Sequence, residues 1–254
     1  MLRRAWELAG DEVGASRVAV IAVGSVERHG DHLPVGTDAI EAEWVAERLA
    51  EELGADLFPP IWYGVSPALA GYRGTINVSQ QALELYASEV LRELARNGYE
   101  LIVVVNGHAG NDPALAAAIK DAASATGATL LLVDWWRDAA SGLHSRLFTS
   151  PGHAGEDETS AMLYIDGEHV RMERARPHEP GQGQLSAYLG RIYSSLRVES
   201  PRLDGALYHP VPVVGDPTKA SAEKGRQWLE AVVRELADRV RELMEAVGLG
   251  QAKH

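Results

Sequence analysis

The chain has 254 residues, 46% of them hydrophobic, which is enough to bury one full α/β core. Its 24 Lys and Arg against 36 Asp and Glu give a net charge of −12, which argues against a nucleic-acid backbone or an anionic membrane as partner and leaves small or neutral molecules. There is no cysteine, so disulfides, thiolate zinc sites and a cysteine nucleophile are excluded, and any metal must be held by His, Asp and Glu.

The N-terminus carries Arg3 and Arg4 with no apolar run of signal-peptide length behind them, and nowhere do eighteen apolar residues follow one another. A cytoplasmic location is expected. In chain order, apolar runs of strand length occupy residues 18–23, 57–61, 102–105 and 130–133. Helical spacing fills 39–53, 80–96 and 113–125 between them, the last with Asp112 read as N-cap and Pro113 in the first turn. A further helix is expected from about Asp157 through Met162, and a long one over 218–247 after the turn Gly215-Asp216-Pro217-Thr218. The proline-rich stretch 174–214 reads as an extended insertion with a short helix over 185–196. Strand and helix alternate, which predicts a single domain over 1–254 of α/β class: a mainly parallel central sheet with helices on both faces, in three α/β/α layers.

The chemistry concentrates in three places. Glu27, His29, His32 and Asp38 stand within twelve residues after the first buried strand. Carboxylate oxygen together with imidazole nitrogen suits Zn²⁺, Mn²⁺ or Fe²⁺, and loops leaving the carboxyl ends of strands are where α/β proteins build sites. Each residue also has a plainer reading: Asp38 as a helix N-cap, Glu27 as a strand-end surface residue, His29 and His32 as hydrogen-bonded core histidines. Taken together, several acids and imidazoles at one such place need a compensating cation. The second place is Asn106-Gly107-His108-Ala109-Gly110-Asn111, where His108 is a ligand or a turn histidine and the two asparagines are expected to bond backbone groups. The third holds His153, Glu156 and Glu158 before a helix: Glu156 reads as a metal ligand, Glu158 as a support for one or a partner of the helix dipole. Of Trp135 and Trp136, one is expected to wall a substrate.

These segments, with His153-Ala154-Gly155-Glu156-Asp157-Glu158-Thr159-Ser160 and Gly215-Asp216-Pro217-Thr218-Lys219-Ala220, resemble the creatininase (creatinine amidohydrolase) family in order and spacing. The resemblance implies a hydrolase with two divalent metal ions (Zn, Mn or Fe), acting on a non-peptide C–N bond of a small cyclic amide or formamide by attack of a metal-bridging water, in a homo-hexamer. It implies Glu27 as a ligand of the first metal, His29 of the second, Asp38 as the bridging carboxylate, His108 as a further ligand of the first, and His153 as the proton carrier. Catalysis is thus expected from His153, Glu156 and Glu158. Creatinine-hydrolysing members carry a glutamate ligand of the second metal where this chain has Gly110. That makes creatinine a doubtful substrate, and Glu156 is expected to supply the missing carboxylate. Two alternatives come from other classes: a histidine-phosphatase-like phosphohydrolase using Arg28 and His29, and a non-catalytic interaction protein.

Overall fold

A computed structural model of the chain describes residues 2–177 and 213–249. Among the described residues the five strands are β1 (Arg3–Arg4), β2 (Val18–Val23), β3 (Asp56–Ile61), β4 (Leu101–Asn106) and β5 (Thr129–Asp134). They form one wholly parallel sheet in the order β1-β3-β2-β4-β5. β2 lies at its centre and every residue of it is buried, as its unbroken apolar run requires of a strand covered on both faces.

The helices are α1 (Thr37–Leu53), α2 (Gln80–Arg96), α3 (Asp112–Thr126), α4 (Trp135–Asp138), α5 (Ser141–Leu147), α6 (Glu156–Asp166) and α7 (Ala222–Ala246). The two-residue period of the strands sorts the core into two layers. Val18, Val20 and Ala22 pack with Val45 and Leu49 of α1 and with Trp228 and Val232 of α7. Ala19, Ile21 and Val23 face the other way, towards Leu83 and Leu91 of α2 and Leu115 and Ala118 of α3. The three-layer α/β/α expectation therefore holds.

Some boundaries differ from the sequence reading. Asp112 lies inside α3 instead of capping it, its carboxylate accepting from Asn106 Nδ2 at 2.9 Å. Asp216 caps its own short 3₁₀ turn, Pro217–Lys219, so α7 begins only at Ala222, with Ser221 as the side-chain cap. The expected insertion and the helix over 185–196 lie outside the described residues.

Strand order places the site. The chain turns one way from β2 to β3 and the other way to β4, and the crevice between β2 and β4 at their carboxyl ends is the switch point where open α/β sheets bind ligands. Two glycines bring the start of α1 into that crevice. A Cβ on Gly24 would lie 2.2 Å from Ala39 Cα, and one on Gly107 would lie 2.2 Å from the Asp38 carbonyl oxygen, so only glycine permits the approach.

Candidate metal centre

Each candidate side chain leaves the carboxyl edge of the sheet on a braced segment. The loop after β2 carries Glu27 and His29 and is closed by the Glu27 N–H donating to the Val35 carbonyl at 2.8 Å. Asp38 enters in the first turn of α1. The N-cap there is Gly36 and no side chain caps the helix, so Asp38 is free of the capping role. After β4, Asn106 and Asn111 hold the turn that presents His108: Asn106 Nδ2 donates to the His108 carbonyl, and Asn111 Nδ2 to the Gly24 carbonyl, each at 2.9 Å. The asparagines bond backbone, as expected. His32 is buried and hydrogen-bonded through Nε2 to the Thr159 hydroxyl at 2.9 Å, which is the plainer reading of that residue.

The geometry converges on Asp38. Its Oδ1 is 3.0 Å from His29 Nε2 and its Oδ2 is 3.0 Å from His108 Nδ1. Glu158 Oε2 lies 3.5 Å from His29 Nε2, Glu27 Oε2 3.4 Å from His108 Nε2, and Glu27 Oε1 3.5 Å from His153 Nδ1. Three sets of ligand-type atoms therefore gather within 4.8 Å: Glu27, Asp38 and His108; His29, Asp38 and Glu158; Glu27, His29 and His153. The first two share Asp38, one carboxylate oxygen turned to each.

The imidazoles are oriented from behind. His29 Nδ1–H donates to the Glu27 carbonyl at 3.1 Å, His108 Nε2–H to the Val65 carbonyl at 3.0 Å and His153 Nε2–H to the Arg28 carbonyl at 2.9 Å. Each ring thus turns its other nitrogen towards the carboxylates, which is how metal-ligating histidines are held. His29 Nε2 and Asp38 Oδ2 are buried without an aligned hydrogen-bond partner, although charged atoms stand at 3.0 Å. With ligand-type atoms gathered this closely, the carboxylate and imidazole donor set fits divalent cations.

The electrostatics express the same demand for positive charge. Burial alone would lower His29, but Asp38, Glu158 and Glu27 outweigh it and raise its pKa to about 10. Burial is likewise overcome at His108, raised to about 9 by Asp38 and Glu27. Asp38 is held well below the carboxylate range by the two imidazoles despite its burial. Glu158 is pushed up to about 8 by burial, with Asp38 and Asp157 adding to it. His153 goes the other way, down to about 3, through burial and the nearby charge of His29.

Glu156 must be corrected. It is fully buried but turned away: its Oε1 meets Lys224 Nζ at 2.5 Å, and its Oε2 accepts from the backbone N–H groups of Thr149 and Ser150, each at 2.8 Å. It belongs to none of the ligand groups among the described residues. The reason is that α6 starts at Glu156 itself, and two residues along a helix are about 200° apart, so Glu156 faces α7 while Glu158 faces His29 and Asp38. Gly110 could not carry the missing acid either, since a Cβ there would lie 2.2 Å from the Val65 carbonyl oxygen and 2.5 Å from His108 Nε2. The phosphatase alternative fares no better. Arg28 pairs with Asp31, and three carboxylates surround the cluster around His29, where a phosphate would be repelled.

A cavity of about 250 Å³ opens on the cluster, lined by Glu27, Asp38, His108, His153 and Glu158 and also by Glu41, Asp157 and three tryptophans, Trp135, Trp136 and Trp228. Glu41, Asp157 and Trp228 were not singled out from sequence. Glu41 had a signal, a lone acid on the buried stripe of α1 one turn beyond Asp38; Trp228, in a helix far along the chain, had none.

Comparison with known proteins gives the family and the fold. The family model for creatininase (creatinine amidohydrolase) matches residues 3–240. The mycofactocin precursor peptide peptidase of Mycolicibacterium smegmatis (strain ATCC 700084 / mc(2)155) is 33% identical over 230 residues, 88% of this chain and 84% of that protein. The 3-dehydro-scyllo-inosose hydrolase of Thermotoga maritima is 29% identical, over 91% of this chain and 79% of that protein. A solved structure described as "Creatininase Mn" superposes with a TM-score of 0.81 at 25% identity, covering 95% of this chain and 98% of that one.

Proposed function

The chain belongs to the creatininase family and is a hydrolase of that family, and from this premise we propose that it cleaves the C–N bond of a small cyclic amide or formamide with two divalent metal ions, Zn, Mn or Fe. Glu27, Asp38 and His108 would hold one ion, and His29, Asp38 and Glu158 the other. The supporting observation is the set of three imidazoles, each tied through one nitrogen to a backbone carbonyl and open at the other towards carboxylates. When bound, such a metal pair lowers the pKa of a water from 15.7 towards about 7 and polarises the carbonyl under attack.

The chain's own residues supply the rest. Asp38, with Oδ1 beside His29 and Oδ2 beside His108, would serve both ions. His153, anchored through its Nε2–H on the Arg28 carbonyl and turned with Nδ1 towards Glu27, would carry a proton from the attacking water to the departing nitrogen. Glu158 accepts the Ala154 N–H at 2.5 Å, which locks it on the same loop that carries His153. The relatives are named for different substrates, and the cavity of about 250 Å³ favours a small one. We place the activity in one domain, in a homo-oligomer, with a hexamer expected. No helix of the described residues is long and apolar enough to cross a membrane.

The test is metal analysis joined to chelation. The purified protein should bind about two divalent ions per chain, lose hydrolysis of a formamide or lactam panel on chelation, and recover it on readdition of Mn²⁺ or Zn²⁺. Amide hydrolysis that survives complete metal removal would reject the reading.

A further inference from the structure

The loop that presents His153 is held by three consecutive acids of α6. Glu156 Oε2 accepts the N–H groups of Thr149 and Ser150, Asp157 Oδ1 that of Gly152 at 2.8 Å, and Glu158 Oε2 that of Ala154 at 2.5 Å. Two of these acids have a further partner already described: Glu156 pairs with Lys224, and Glu158 stands in the group with His29 and Asp38. The second oxygen of Asp157, Oδ2, accepts instead from His144 Nε2 at 3.0 Å. His144 lies on α5, outside the lining of the cavity and outside every ligand group among the described residues.

The segment between these two histidines is bounded by strained backbone. Ala140, just before α5, has φ +52°, and Ala154, just after His153, has φ +51°; with Arg17 they are the three non-glycine residues of positive φ among the described residues. A residue with a Cβ adopts that conformation only where its surroundings impose it, and such positions gather at functional sites. Both ends are tied: the Ala140 N–H donates to Glu235 Oε2 at 2.8 Å, and the His153 carbonyl accepts from the Val214 N–H at 2.6 Å. The His144 ring packs on Trp228 and Phe148, with centroids 4.9 and 5.0 Å away. An apolar ring would fill that corner as well; the imidazole adds a donor, and the donor meets Asp157. We propose that His144 is a positioning residue for His153. Acting through Asp157 and the Gly152 N–H, it holds the loop so that the His153 ring keeps Nε2–H on the Arg28 carbonyl and Nδ1 towards Glu27.

The consequence for catalysis rests on the hydrolase reading above, with His153 as proton carrier; the placement of the ring does not. Two variants separate the donor of His144 from its ring. His144→Phe keeps the packing on Trp228 and Phe148 and removes the donor, whereas His144→Gln keeps an N–H for Asp157 and gives up the ring. Crystal structures of the full chain are the first arm. Wild type and His144→Gln should show His153 Nε2 at 2.9 Å from the Arg28 carbonyl, and His144→Phe should show that distance opened beyond about 3.5 Å or the ring in a second orientation. The second arm is kinetics on an amide of the panel. His144→Phe should lower kcat about tenfold to a hundredfold, with KM within about twofold and metal content unchanged, and His144→Gln should recover most of the loss. In a His153→Ala background, His144→Phe should cost nothing more, because the group it positions is gone.

An unmoved His153 ring in His144→Phe, full activity in His144→Phe beside loss in His144→Gln, or a loss that persists undiminished in the His153→Ala background would each overturn the role, even if metal-dependent hydrolysis is found. A His153 ring displaced in His144→Phe and restored in His144→Gln, in a protein without metal-dependent hydrolysis, would uphold the positioning of the ring and reject the hydrolase reading instead.

Discussion

Two acids of the first turn of α6, Glu156 and Glu158, have opposite fates here, and the difference is measurable. Glu158→Gln should cost about one of two bound metals and most of the activity, because it removes a carboxylate from the group formed with His29 and Asp38. Glu156→Gln should keep both metals and lose stability instead, since its oxygens serve Lys224 and two backbone N–H groups. Elemental analysis beside a thermal melt separates the two, and a Glu156→Gln protein that is stable but short of one metal would reverse the assignment. Glu27, His29, Asp38 and His108 were legible because three of them crowd one loop and the fourth follows a buried strand between glycines. The sequence reads Glu156 as the ligand and Glu158 as its support because, of two acids two residues apart, which one faces the cluster follows only from the helix that carries both and turns them to different sides. His153→Ala should lower kcat far more than metal content; a proportional loss of both would make His153 a ligand, as its place beside Glu27 and His29 also allows.

At the scale of elements, the core strands were legible because each is a continuous apolar run, while β1, two residues long, has no pattern to read. The packing of α6 on α7 could not be foreseen, since it depends on Gly225, whose absent Cβ would stand 1.9 Å from the Ser160 carbonyl oxygen. Gly225→Ala should therefore destabilise by about 1–3 kcal/mol through overpacking, although alanine is the better helix former, and denaturant unfolding checks the sign. Next to Gly225, Lys224 reaches from α7 to Glu156 of α6. Glu156's burial raises its pKa, but Lys224 and the Thr149 and Ser150 N–H groups outweigh that and bring it below 4.5. A lowered folded pKa means stability present above about 4.5 and lost as pH falls through the folded value. Lys224→Met should thus cost about 1–3 kcal/mol at pH 7, with the gap to wild type closing in acid. A gap that stays constant from pH 7 to pH 3 would show that the pair is not the source.

At the scale of the whole molecule, the described surface is uneven. Trp62 and Tyr63 after β3, Ile76, and Leu85 and Tyr86 on α2 are all exposed by 39% or more, and Trp62, Tyr63 and Tyr86 border one apolar hollow of about 430 Å³. Large apolar groups gathered this closely on a chain of charge −12 make this the face through which the proposed homo-oligomer would form. The hollow also adjoins the site: a Cβ on Gly36, two residues before Asp38, would lie 3.2 Å from the Trp62 ring. Association through this face would brace the loop that carries the ligands, so assembly and metal retention should be linked. Light scattering should give a multiple of 27.4 kDa for the wild type. The pair Trp62→Asp and Tyr86→Asp should shift it to smaller species and weaken metal retention on dilution, while circular dichroism stays that of a folded α/β protein. A wild type that runs at 27.4 kDa at micromolar concentration, or a double variant of unchanged mass, would assign this face to something other than self-association.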